Sequence, residues 1–153
     1  MRRATEGDAS FYHRLWTCPE VMRNVGFPQG LRTTMEEIRS KIRQQPNSDL
    51  GSLLVVTLKS TGDIMGECKM YPPDEEGISE TDVKLLPEYW GHGYGREIKS
   101  ALLDQLFERT GCEYVQATPN VNNTSSIRMQ ESVGGIRMGE ETYEFPEGMR
   151  SYT

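Results

Sequence analysis

From Leu85 to Phe107 the chain passes from an apolar strand end through three alternate glycines, Gly91, Gly93 and Gly95, into a segment with apolar residues at helical spacing. Strand, tight turn and helix in that order commit this stretch to an α/β arrangement and limit what the turn can hold. Glycine reaches positive φ without a Cβ penalty and lets a ligand approach the backbone closely. The first N–H groups of the helix point back into such a turn, and the helix dipole adds about half a positive charge there. An anion is favoured at that end. Ile98, Ala101, Leu102, Leu106 and Phe107 supply the apolar stripe, and Gly111 stands just beyond as a stop.

Spacing excludes two familiar phosphate motifs. A Walker loop closes on Gly-Lys-Ser/Thr, and a dinucleotide fingerprint needs glycine where Arg96 stands, so neither ATP nor NAD is favoured. Composition narrows the class further. With 153 residues and 35% apolar content, the chain builds one core and is read as a single domain, 1–153. A net charge of −6 lacks the basic face that phosphate neutralisation requires, so nucleic acid is not expected as a partner. No run approaches the roughly 20 apolar residues of a membrane helix, and no secretory core opens the sequence. The expected setting is cytoplasmic, with no membrane partner. Cys18, Cys68 and Cys112, odd in number and far apart, suit reduced packing thiols rather than disulfides or a zinc site.

The remaining elements follow from periodicity and caps. Thr5-x-x-Asp8 precedes a first helix carrying Ala9, Tyr12, Leu15 and Trp16, and Thr34-x-x-Glu37 is a capping box for a second with Met35, Ile38 and Ile42, ended before Pro46. The Gly/Pro/Arg-rich segment between them reads as a flexible wall. Leu53 to Leu58 and Ile64 to Tyr71 form a hairpin about Ser60-Thr61-Gly62-Asp63, with Gly66 weakening the second strand. Residues 72–77 form an acidic solvated connection rather than a metal site. A strand near Glu80 to Leu86 then enters the glycine turn, and Tyr114 to Thr118 is a further short strand. It precedes an Asn123-capped helix that stops at Gly134-Gly135.

Two segments carry a family resemblance. Trp90-Gly91-His92-Gly93-Tyr94-Gly95 resembles the pyrophosphate loop of the GNAT N-acetyltransferase superfamily, written Arg/Gln-x-x-Gly-x-Gly/Ala. Asn123 to Gly135 is similar to that family's Asn-x-x-Ser/Ala-x-x-x-x-Glu-x-x-Gly-Phe helix, which lies beside the pantetheine arm of coenzyme A. Arg3 to Asp8 resembles the opening of the branch that contains ribosomal-protein N-terminal acetyltransferases. The resemblance implies an α/β (α+β) fold with a mixed, mostly antiparallel twisted sheet, flanking helices and splayed central strands. By that standard both end strands are expected to be incomplete, and a partner copy could supply one. The implied cofactor is acetyl-CoA. The strand end Leu85 and Leu86 would hold it, with the turn Trp90, Gly91, His92, Gly93, Tyr94, Gly95 and Arg96, and with Asn123 and Ser126 beside its arm. Three positions depart from the pattern. Trp90 replaces Arg or Gln, Gly135 replaces the closing Phe, and Gln130 stands where many relatives place a tyrosine acid.

The implied reaction is aminolysis of a thioester, which needs a neutral amine, a stabilised oxyanion and a proton for the leaving thiolate. At pH 7 a lysine-like amine with pKa about 10.4 is neutral about once in 2500, whereas an α-amine near 7.7–8.0 is neutral roughly a tenth of the time. An N-terminal acceptor asks less of a base. Glu80 is the candidate base, acting through water, with Asp82 on the same strand face second and Glu67 third. Ser126 either donates toward the sulfur or holds the arm, and Asn123 binds an amide of it. As helix N-cap and N3, both also suit purely structural roles. Arg96 and Arg128 are candidate phosphate contacts. The expected acceptors are small-molecule or peptide amines, and a homodimer is admitted. The competing reading is a catalytically degenerate CoA-binding sensor or scaffold.

Overall fold

The computed structural model describes residues 1–145 and 148–152. Its elements are β1 (Arg2–Arg3), α1 (Ala9–Thr17), α2 (Pro19–Met22), α3 (Met35–Arg43), β2 (Leu54–Thr57), β3 (Ile64–Met70) and β4 (Ile78–Leu85). They continue with α4 (Tyr94–Arg109), β5 (Tyr114–Gln116), α5 (Thr124–Ser132), β6 (Glu141–Phe145) and β7 (Gly148–Tyr152). The main sheet is five-stranded in the order β1-β2-β3-β4-β5, and β6 and β7 form a separate hairpin sheet. The first strand is short, at two residues, and β6 and β7 pair with each other rather than extending the main sheet among the described residues, in keeping with the expected incomplete end strands. Arg2 and Arg3 pair with Val55 and Leu54.

β1 to β4 run antiparallel, whereas β4 and β5 are parallel and pair only from Ile78↔Tyr114 to Glu80↔Gln116. Beyond Glu80, β4 continues to Leu85 with no strand beside that edge among the described residues. The expected splay is present at this point.

Residues paired across strands share a face, which divides the sheet into two packed sides. On one side Val55 and Leu86 meet Tyr12, Leu15, Ile38 and Ile42 from α1 and α3. On the other, Leu54, Val56, Cys68 and Met70 meet Ile98, Leu102 and Leu106 from α4. Burying a side chain such as Leu15 or Leu102, both 0% exposed, stabilises the fold by about 1.5–3 kcal/mol. All three cysteines are free, and Cys68 and Cys112 serve as core residues.

Caps fix the helix starts as the sequence implied. Thr34 and Glu37 form the reciprocal box at α3, with the Glu37 N–H donating to Thr34 Oγ1 at 3.2 Å and the Thr34 N–H to Glu37 Oε2 at 2.7 Å. Asp8 takes the Thr5 N–H at 2.8 Å and both Arg2 guanidinium nitrogens at 2.8 Å. The Arg2 pair is the larger of the influences that hold its carboxyl below the usual range. Two expectations change. The segment between α1 and α3 is a packed wall rather than a flexible one: it contains α2 and a 3-10 turn over Arg23–Val25. Val21 and Met22 are buried there, and the Leu31 N–H is bonded to the Trp16 carbonyl at 2.7 Å. Gly66 is required rather than a weak point, because a Cβ there would lie 2.4 Å from the Lys84 carbonyl oxygen.

Candidate active site

A cleft of about 1300 Å³ runs from the glycine turn, through the gap between β4 and β5, to the wall made by α1 and α2. Its two halves are built from different materials.

Backbone dominates the half near the turn. In an antiparallel pair, residues alternate between exchanging hydrogen bonds with their partner and facing away. The Leu86 N–H donates to the Met65 carbonyl at 3.0 Å and the Tyr71 N–H to the Glu80 carbonyl at 2.9 Å, so the even-numbered residues of β4 bond to β3. Val83 and Leu85 therefore turn their N–H and C=O groups toward the gap. This separates the two leucines that the sequence grouped together: Leu85 faces the cleft. Leu86 does not, because its N–H is already used and its side chain is buried in the core. Trp90, 38% exposed, donates its indole N–H to the Leu85 carbonyl at 2.9 Å. It closes the strand end rather than contributing charge.

Gly91 and Gly93 have φ of +77° and +80°, and neither has an atom within 4 Å of a Cβ built on it, so the turn is open on its outer side. Gly93 is the N-cap of α4, and the first helical bond is from the Glu97 N–H to its carbonyl. The N–H groups of Tyr94, Gly95 and Arg96 come before that bond and receive no carbonyl from the helix. They lie at the positive end of a 16-residue helix. His92 is exposed, and its ring is tilted on Tyr94 at 5.7 Å. Arg96 is exposed at the rim, and Arg128 of α5 lines the same end. α5 packs beside the turn, with Met129 at an ordinary contact distance of 3.8 Å from a Cβ built on Gly95.

α5 forms the opposite wall. Asn123 Oδ1 accepts the Ser126 N–H at 3.1 Å, so the capping role of both residues is built in. Asn123 Nδ2 also reaches the Asn24 carbonyl at 3.5 Å, linking this wall to the segment after α2. Ser126 and Gln130 line the cleft. A Cβ at Gly135 would stand 2.7 Å from the Gln130 carbonyl oxygen. That contact accounts for glycine where the pattern expects Phe.

Side chains dominate the other half. Glu80, Asp82 and Lys84 share one face of β4, and Glu67 is paired to Lys84 across β3. Glu67, 4% exposed, accepts the Trp16 indole N–H at 2.8 Å and lies 3.3 Å from Lys84 Nζ, which also pairs with Asp82. Burial pushes the Glu67 carboxyl up, against the pull of Lys84. Burial alone would lower Lys84, but Glu67 and Asp82 together outweigh it and keep the ammonium charged. Glu80 is exposed, lines the cleft at the last paired position before the gap, and carries no ion pair among the described residues. Lys41 stands 5.3 Å over the Trp16 ring and Lys69 4.5 Å over Tyr71.

Sequence reasoning missed Trp16, Val83 and Lys84. Val83 shares the odd-numbered register of Leu85, which the hydrogen bonds between β3 and β4 reveal. Trp16 and Lys84 meet Glu67 only through the tertiary fold.

The profile of the Acetyltransferase (GNAT) domain matches residues 1–136. The chain belongs to the GNAT acetyltransferase family. It is 27% identical over 128 residues to the uncharacterized protein YkkB of Bacillus subtilis (strain 168), spanning 82% of this chain and 74% of that one. The spermidine N-acetyltransferase of Vibrio cholerae, solved with CoA and spermine, superposes with a TM-score of 0.83 at 18% identity, covering 99% of this chain and 90% of that one. The ribosomal-protein-alanine N-acetyltransferase of Brucella melitensis gives 0.76 at 20%, covering 99% and 94%.

Proposed function

We propose that the protein transfers an acetyl group from acetyl-CoA to a primary amine, on a small molecule or at a peptide N-terminus. One observation carries the reading: the Val83 and Leu85 N–H groups line an open strand gap that leads to a bare glycine turn at a helix N-terminus. That arrangement fits a long ligand with amide groups along its length and phosphates at one end. When bound, acetyl-CoA supplies an activated acetyl thioester. The turn from Gly91 to Gly95, with the amides of Tyr94, Gly95 and Arg96, would hold its phosphates, and Arg96 and Arg128 would add charge. Val83, Leu85, Asn123 and Ser126 would hold the arm.

Glu80 takes the proton from the acceptor ammonium through water. Among the three carboxylates on this side it is the one not paired with an ammonium among the described residues, since Glu67 and Asp82 are engaged with Lys84. Trp16, Val21, Met22 and Phe27 give the acceptor an apolar wall that excludes water. The structural neighbours include a polyamine acetyltransferase and a protein N-terminal one, so both acceptor kinds belong in the test. A panel of both, assayed with acetyl-CoA for free thiol, should give saturable turnover with at least one. CoA binding with no turnover on any amine would favour the sensor or scaffold reading.

A further inference from the structure

Lys99 is 3% exposed on the buried face of α4, between Ile98 and the leucines that fill the core there. A lysine among apolar side chains is costly unless its ammonium is needed. Its ammonium donates to Thr81 Oγ1 of β4. The other ionisable groups that the packed elements bring to this side are few. β4 carries Asp82 on its other face, next to Thr81 in the chain, and Asp82 acts on Lys99 through space. β3 brings the Cys68 thiol, which burial pushes up to about 12 and so keeps neutral. α5, in contact with α4 at Gly95, brings Arg128, exposed at the cleft rim. Burial brings the Lys99 ammonium down to about 8, against the opposing pull of Asp82.

Thr81 occupies a defined place. The last β4–β5 pair is Glu80↔Gln116, so Thr81 is the first residue past the point where the strands part, and it lines the cleft. Its hydroxyl accepts from Lys99. Having one hydrogen to donate, it must aim that hydrogen at something else. Successive strand residues point to opposite faces, so Glu80 and Thr81 stand on the two sides of the sheet at the closed end of the gap. The proposed proton acceptor and this hydroxyl are thus adjacent in the chain and opposite in space. Gln130, at the position where the resemblance implies a tyrosine acid, has only an amide.

We propose that Thr81 donates the proton to the leaving sulfur and that Lys99 is the positioning residue that charges it. This rests on the acetyl-transfer reading. The S–H bond forms as the Thr81 O–H bond breaks, and that O–H bond is remade with a proton from Lys99, leaving the amine neutral. Lys99 then regains a proton through solvent, matching the one the acceptor amine gives up. Nothing is oxidised or reduced. An ammonium with a pKa near 8 is suited to this exchange, since efficient proton donors titrate near the working pH.

The test titrates the thiol of bound coenzyme A by its thiolate absorbance and needs no turnover. In the wild-type protein the bound thiol should ionise about one pH unit below the free coenzyme, as a neighbouring cation favours the thiolate. Lys99→Met and Thr81→Val should return it to the free value, and Thr81→Ser should keep the wild-type value. Lys99→Met replaces a buried cation with an apolar chain of similar length, so the fold should persist at an equal or higher Tm. If the thiol titrates alike in wild type, Thr81→Val and Lys99→Met, or if Ser126→Ala is the change that abolishes the shift, the donor assignment is overturned and the transfer reading stands. No saturable coenzyme binding by the wild type overturns both.

Discussion

The two halves of the cleft are lined by different materials. Toward the glycine turn the lining presents backbone N–H groups at Val83, Leu85 and the start of α4, because strands part and glycines leave the turn bare. Toward α1 the lining is side chains drawn from distant segments, with Trp16, Glu67 and Lys84 meeting across the first helix and two strands. Backbone recognition depends on local conformation and so leaves a spacing in the sequence. Side-chain recognition leaves none. The first half would therefore govern coenzyme affinity and the second turnover on a given amine.

The largest expected effect breaks the side-chain half alone. Glu80→Gln should lower kcat by about 10²-fold or more, the scale of a lost general base, with coenzyme affinity unchanged. Stopped-assay kinetics beside a binding titration would check it. Gly93→Val acts on the other half. A β-branched residue at φ +80° costs on the order of 1–3 kcal/mol of backbone strain, so coenzyme affinity should fall about 10- to 100-fold. The acceptor KM should stay put, which two-substrate kinetics would read.

Lys99 is the buried side chain behind Thr81, and pH exposes it. Its folded pKa lies below the ordinary lysine value. Below pH about 8 it is charged in both states and the fold bears the full cost of burying it. Between about 8 and 10.5 the folded chain has released a proton that the unfolded chain still holds, so wild-type stability climbs relative to Lys99→Met. Denaturant midpoints of the two proteins should accordingly converge from pH 7 to pH 10. Trp90→Phe is the smallest change. Losing one indole bond to the Leu85 carbonyl should cost about 1 kcal/mol and loosen the coenzyme a few-fold, measured by the same titration.

Much of the donor half was legible because its signals are local. The strand entering Gly91, the Ile98, Leu102 and Leu106 part of the α4 stripe and the Asn123 cap appear where spacing put them, whereas Phe107, read into the same stripe, is exposed. Leu86 was misassigned because the sequence carries no register. The bonds from Leu86 to Met65 and from Tyr71 to Glu80 show that odd-numbered residues face the gap. Gly66 looked like a defect because its constraint is the Lys84 carbonyl, 18 residues away in the chain. The wall at residues 18–33 looked flexible because Gly, Pro and Arg mark turns, whereas Val21 and Met22 pack it down. Lys99 fell within a helical stripe, and nothing in periodicity tells a surface lysine from one facing Thr81.

The division between the halves is tested most directly by calorimetric titration of coenzyme A into wild type, Gly93→Val and Glu80→Gln. Saturable binding to wild type, equal binding to Glu80→Gln and binding weakened at least tenfold in Gly93→Val are expected. Equal affinity in all three proteins, or none in the wild type, would contradict the account.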